Sequence, residues 1–351
     1  MFKCVKRRAV SVVYVACSLC AGVSADTEHA SIAPSYQWGR GINLPQANLN
    51  LGGYVNTSLS EIETQPTGWS LEEIGFFFNW SPHAKLRFFS EIAFNDWFSH
   101  AGERALDDAL KIERLYLDIL ATDSLTLRAG KFLTPVGRWN VLHVSPLLWT
   151  TSRPLVAQEQ LFSGNVNGLM LSKTIEWGER NVDLSAYIDN SRELDPDQNQ
   201  IGFDHAYGGR ANVELFDELQ VGASYLAYKK YFGYDFHLDT NHLFGMDVLW
   251  QKNNYEIQLE MIYRHANDIQ DDEHGFYVQG VVPLVDHLFA VGRYEYLNGK
   301  HRNIKTDAKV GVAGLTWRPW VPLALKAEYR FGSQNEFIAP SGFYTSFSMF
   351  F

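Results

Sequence analysis

The chain has 351 residues, with 30 Lys and Arg against 40 Asp and Glu and a formal net charge of −10 at pH 7. This acidic balance argues against nucleic-acid binding, which depends on basic side chains neutralising phosphates. The three cysteines, Cys4, Cys17 and Cys20, all sit near the N-terminus, so the rest of the chain is expected to fold without disulfides, thiolate-bound metal or a cofactor.

The opening stretch MFKCVKRRAVSVVYVACSLCAGVSADTEHA starts with positive charge, runs apolar from Ala9 to about Ala21 and reaches small residues at Val23-Ser24-Ala25. That pattern predicts a secretory signal peptide over residues 1–25. The apolar run is shorter than the roughly 20 residues a spanning helix needs, and Leu19 stands where a lipoprotein signal before Cys20 would carry a small residue. Residues 26–46 are expected to form an N-terminal periplasmic segment, and residues 47–351 the main body.

Past Ala25 no apolar run is long enough for a transmembrane helix, yet apolar residues make up 46% of the chain and aromatics 14%. Alternation reconciles the two. In VDLSAYID, Val182, Leu184, Ala186 and Ile188 share one face, with Asp183, Ser185, Tyr187 and Asp189 on the other. NYEIQLEMIYRH sets Tyr255, Ile257, Leu259, Met261 and Tyr263 against Glu256, Gln258, Glu260 and Arg264. Period-two patterning of this kind marks β-strands.

About sixteen such segments follow one another. The first eight are Ala47 to Ser60, Trp69 to Asn79, Lys85 to Asp96, Ala109 to Leu120, Leu125 to Thr134, Asn167 to Ile175, Asn181 to Asn190 and Ala206 to Phe216. The second eight are Leu219 to Tyr231, Leu243 to Gln251, Tyr255 to Ala266, Gly275 to Val282, Leu288 to Leu297, Ala308 to Trp317, Leu323 to Phe331 and Gly342 to Phe351. Strands of a soluble sandwich average about 5 or 6 residues, whereas a tilted strand crossing a bilayer needs roughly 9 to 11. The pattern therefore predicts an all-β fold: a transmembrane antiparallel β-barrel of about 16 strands, apolar towards lipid and polar towards its lumen.

Connections after even-numbered segments are tight, as at Thr122-Asp123-Ser124 and Lys252-Asn253-Asn254, and those after odd-numbered ones are longer and more polar. Short periplasmic turns and long outer loops are the barrel habit. Trp69, Trp80, Trp97, Trp250, Trp317 and Trp320 near segment ends fit interfacial girdles, implying outer-membrane lipids and lipopolysaccharide as surroundings. FYTSFSMFF ends in Phe351, a terminal residue that resembles the signal read by the barrel-assembly machinery.

Catalytic motifs are sparse. The sequence has no Gly-x-Ser-x-Gly elbow, no His-Glu-x-x-His and no phosphate-binding loop; acidic clusters at Glu193 to Asp197 and Asp268 to Glu273 read as solvated loops rather than metal sites. No enzyme activity is expected, with a barrel hydrolase or a plugged structural barrel as the alternatives. Alternation puts Arg114, Asp118, Arg210, Glu260, Arg264, Arg293, Glu295, Lys326, Glu328 and Arg330 on the pore lining, where opposite charges can pair across strands.

One stretch stands apart. LTLRAGKFLTPVGRWNVLHVSPLLWTTSRPLVA, Leu125 to Ala157, carries Arg128, Lys131, Arg138 and Arg153 and no acid. It begins as the fifth strand and continues into the longest connection, the third outer loop, whose length suggests function and whose Val141, Leu142, Val144, Leu147, Leu148, Trp149 and Leu155 need something to pack on. Lys131 faces outward by strict alternation unless Gly130 makes a bulge.

The segment RAGKFLTPVGRWN, Arg128 to Asn140, resembles the strand-to-loop segment of the phosphate-selective porin O/P family. The chain differs in lacking a long heptad-bearing N-terminal segment and an evident row of inward arginines. The resemblance implies a sixteen-stranded diffusion channel, often a homotrimer, and a third loop folded into the lumen is a feature of general porins. The expected function is passive passage of a small hydrophilic solute, with Arg128, Lys131, Arg138 and Arg153 as solute contacts at the constriction favouring anions.

Overall fold

The computed structural model describes residues 33–351 apart from 64–66, 100–101, 104, 106–108, 159–160, 179, 191–201, 232–239, 267–271, 302–303, 306 and 334–338. Sixteen long strands make up the wall. They are β1 Leu49–Ile62, β2 Gly68–His83, β3 Leu86–Ser99, β4 Leu110–Thr122, β5 Leu125–Leu133, β6 Asn165–Trp177, β7 Arg180–Asp189 and β8 Gly202–Phe216. The second half comprises β9 Leu219–Tyr231, β10 Asn241–Lys252, β11 Tyr255–Ala266, β12 Glu273–Val285, β13 Leu288–Asn298, β14 Ala308–Trp320, β15 Leu323–Ser333 and β16 Gly342–Phe350. Each strand pairs antiparallel with the next, and β16 returns to β1 from Gly342↔Ile62 to Phe350↔Tyr54. Closure leaves no unpaired strand edge inside the hydrocarbon, the condition for a sheet to span a bilayer. Among the described residues no helix is long and apolar enough to cross.

Several strands run further than alternation predicted. β12 continues through Pro283 to Val285 and β14 through Pro319 to Trp320, each past a register shift that takes up the proline. Residues expected to be a plain N-terminal segment contribute two short strands, Ser35–Gln37 and Gly41–Leu44, the second pairing with β1 through Ile42↔Leu51 and Leu44↔Leu49. They extend the sheet at the end where β16 runs out. Trp38 packs against Trp320 with ring centroids 5.6 Å apart.

The outward face carries Leu117, Leu127, Leu171, Met246, Ile257, Met261 and Leu315, all exposed to the surroundings of the barrel. Exposed Trp80, Trp177, Trp317 and Trp320 ring its margin at the short turns and Trp69 marks the opposite one, the arrangement by which amphipathic rings sit at headgroup level. Two bulges change the inner face. Glu72 is skipped between Asn56↔Glu73 and Thr57↔Leu71, and Glu113 between Glu91↔Arg114 and Ile92↔Ile112, so two consecutive charged residues turn inward at each.

Candidate functional site

Between Leu133 and Asn165 the chain leaves the wall and enters the barrel. Three single turns of 3-10 helix, Asn140–Leu142, Ser145–Leu147 and Leu155–Ala157, are the only regular structure among its described residues. Most of its backbone N–H and C=O groups therefore lack partners within the loop, and buried ones need partners from elsewhere. The inner wall supplies them.

Carboxylates of the wall accept from loop amides. Glu260 on β11 takes the Trp139 N–H at 2.6 Å, Glu295 on β13 takes that of Leu155 at 2.6 Å, and Glu328 on β15 takes those of Thr151 and Ser152 at 2.9 and 2.8 Å. Cations of the wall donate to loop carbonyls. Arg318 on β14 reaches Pro146 O and Leu148 O at 2.7 and 2.9 Å, Lys326 on β15 reaches Ser145 O at 2.7 Å, and Arg293 on β13 reaches Ser152 O at 3.0 Å and Thr150 Oγ1 at 2.5 Å. The loop's lack of acids has a physical account here. It lies on a surface already furnished with Glu260, Glu295 and Glu328, and further carboxylates would repel them.

Apolar contacts seal the same face. Val136, Leu155, Val156, Leu161 and Phe162 of the loop form one buried cluster with Leu226, Tyr228, Leu243, Ile262, Tyr277 and Leu297 of the wall. Val144 and Leu147 form a second with Tyr54, Phe77 and Phe350. Gly137 permits the entry: its φ is +65°, and a Cβ there would lie 2.2 Å from Glu260 Oε2. Where the loop stands off β10–β12, a small pocket remains, lined by Leu142, Trp149, Gln251 and Glu256 among others.

The ten expected pore-lining residues all stand on the inner face, but the loop divides them. Glu260, Arg264, Arg293, Glu295, Lys326, Glu328 and Arg330 are buried, most of them beneath the loop, so they hold it rather than line water. Arg264 pairs with Glu273 at 2.9 Å and Arg293 with Glu295 at 2.8 Å. Asp118 is bound by Arg128 through two hydrogen bonds of 2.7 and 2.8 Å, Arg114 pairs with Glu91, and Arg210 pairs with Asp247 at 2.7 Å.

The four basic residues of the island separate. Arg128 is inward on β5, with its guanidinium 3.7 Å from the centre of the Tyr116 ring. Arg138 is buried across the lumen, donating to Gln220 at 3.0 Å and lying 3.7 Å from Asp247. Arg153 belongs to the loop beside His143. Lys131 is a correction to the expected constriction set: it sits opposite Leu115 in unbroken register, and Leu115 is on the outward face. Gly130, at φ +128°, lets β5 keep that register where a Cβ would strike the Leu115 carbonyl at 2.2 Å.

Residues missed in the sequence are the inward apolar ones. Leu226, Leu243, Ile262, Tyr277, Leu297, Val310 and Val312 occupy positions where a water-filled lumen should be polar. Their shared face across β9–β14 was the available signal that something dry packs there. The cluster at Glu193 to Asp197 lies outside the described residues; of the second acidic cluster, Asp272 accepts from Tyr263 at 2.6 Å and Glu273 is buried against Arg264.

Comparison with known proteins fits this geometry. No family model matches the chain. A curated relative, an uncharacterised protein of Aquifex aeolicus (strain VF5), is 23% identical over 334 residues, covering 80% of this chain and 75% of its own. Solved structures of similar fold include OmpF of Salmonella typhi in complex with daunomycin (TM-score 0.64, 14% identity, 87% of this chain and 98% of that one) and the trimer form of OmpT, an outer membrane protein of Vibrio cholerae (0.60, 14%, 86% and 99%). The anion-selective porin of Comamonas acidovorans is also similar (0.60, 11%, 86% and 99%). At these identities the likeness is one of fold: a porin-like barrel.

Proposed function

We propose that the chain is an outer-membrane porin, a passive channel through which small hydrophilic solutes cross down their gradient. The observation that carries this reading is the third loop held inside a closed, charged barrel by carboxylates and cations of β11–β15. Such a loop narrows the passage without a moving part, and selectivity then comes from width and wall charge. We place the free path along those inner residues of β2–β8 that are not buried, among them Glu73, Phe89, Arg128, Asp183, Ser185 and Arg210.

Arg128–Asn140 resembles the phosphate-selective porin O/P segment, and that likeness supports the class of function. Phosphate as the solute fits less well, because Arg114, Arg128, Arg210, Arg264 and Arg293 each face a wall carboxylate. A mild preference for anions rests instead on Arg87, inward on β3 opposite Asp118 and without an ion pair among the described residues. The reading includes export by residues 1–25, assembly through Phe351, contact with lipopolysaccharide at the aromatic margins, and a homotrimer like the trimer form of the Vibrio cholerae protein. Liposomes carrying the protein should swell in small neutral sugars at rates falling with solute size, and a KCl gradient should give a reversal potential of anionic sign. Tight liposomes, or cleavage of lipid or peptide in place of permeation, would overturn the reading.

A further inference from the structure

On the wall of β1–β4, where Val144 and Leu147 of the third loop pack against Tyr54 and Phe77 at one end, aromatic rings run from strand to strand. Tyr54 on β1, Phe77 on β2, Phe89 on β3 and Tyr116 on β4 follow one another with centroid spacings of 5.3, 5.9 and 5.4 Å, and the last pair is stacked. Tyr54 and Tyr116 are buried, but Phe77 and Phe89 keep part of their surface towards the lumen. Apolar rings facing a water-filled passage are at odds with the rest of that wall, where Arg128, Asp183 and Arg210 point inward. They gain if a passing solute covers them.

Charge borders the row on one side. One register step towards the periplasm, Arg87, Asp118 and Arg128 stand side by side across β3, β4 and β5. Asp118 is taken by Arg128, so this trio carries one net positive charge, and the guanidinium without an ion pair among the described residues is that of Arg87. It is two residues from Phe89 on the same strand face. On the outer side Glu91 and Arg114 neutralise each other, with the Arg114 guanidinium 4.7 Å from the centre of the Phe89 ring.

We infer that Phe77, Phe89 and Arg87 form a solute-binding step within the channel for aromatic carboxylates, the ring lying against the phenylalanines and the carboxylate on the Arg87 guanidinium. Stacking aromatic surface on aromatic surface favours planar rings, and a guanidinium fork matches a carboxylate in two hydrogen bonds. A saturated ring fills the same volume without the face-to-face fit, and an aromatic amine brings the wrong charge. The step names a substrate class for the proposed channel and rests on that reading for its role in transport, although binding can be measured without transport.

The probe is benzoate, titrated calorimetrically into the folded, detergent-solubilised protein, with cyclohexanecarboxylate and benzylamine as comparisons. Benzoate should bind about threefold to tenfold more tightly than cyclohexanecarboxylate, the range an aromatic contact supplies, and benzylamine should not bind measurably. Phe89→Leu should bring benzoate down to the level of cyclohexanecarboxylate, Arg87→Gln should weaken both carboxylates alike, and outward Phe244→Leu should change neither. Phe77→Leu serves where the first variant fails to fold. Equal binding of the two carboxylates, or benzoate affinity indifferent to Phe89→Leu, Phe77→Leu and Arg87→Gln, would overturn the inference. Permeable liposomes with no benzoate preference would refute the step alone, and benzoate binding by a protein that leaves liposomes tight would refute the channel alone.

Discussion

At the scale of single residues, His143 shows how the loop responds to its surroundings. Both ring nitrogens are buried without a hydrogen-bond partner. Burial holds the imidazole below its ordinary value of 6.5, with Arg114 and Arg153 pressing the same way and Glu91 and Glu113 against them. The docked loop therefore disfavours protonation of His143, while an undocked loop would take up a proton as pH falls through about 6.5. Docking is then at full strength above that value and weakens below it. In bilayers, current fluctuations arising from loop movement should increase between about pH 7.5 and pH 5.5 in the parent protein, and His143→Gln should flatten that dependence. Equal acid sensitivity in the variant would mean that another group governs the loop.

At the scale of elements, the third loop is a segment whose backbone is completed by other strands' side chains. Glu328 accepts from two consecutive amides, so Glu328→Ala leaves two donors without their partner in a partly buried place, each costing about 1 kcal/mol. The expected result is a loop cut by chymotrypsin after Trp149 in the folded protein under conditions where the parent resists; equal resistance would show that the apolar clusters hold it alone. The strands themselves were readable from sequence because an inward residue and its lipid-facing neighbour differ so strongly in polarity, as along Asp183 to Ile188. Reading failed where that contrast vanished. Tyr277 and Val278 are both apolar, one under the loop and one facing lipid, and alternation alone cannot tell a dry interior from a bilayer. The site was half legible for the same reason: Arg128 and Asp118 stand inward on the two strands of one hairpin, but Arg138 announced a cationic loop whose partner Asp247 lies on distant β10. Long-range pairing of this kind leaves no local mark in a sequence.

At the scale of the molecule, closure of the barrel and occupation of its lumen are linked. The seam between β16 and β1 is also where Val144 and Leu147 of the loop pack on Tyr54 and Phe350, so the loop crosses the line along which the wall closes. Just beyond it, Thr151 Oγ1 lies 2.8 Å from Ser346 Oγ on β16. The chain's cysteines all precede Ala21, which leaves the barrel free of competing thiols. The most direct measurement is the single-channel conductance of the signal-free double variant Thr151→Cys/Ser346→Cys before and after oxidation. A disulfide should form within one chain, and the oxidised protein should keep stepwise conductance close to that of the parent, since the bond fixes a loop already in place. Failure of the two thiols to join, or a channel that closes when they do, would contradict a loop that lies inside an open pore.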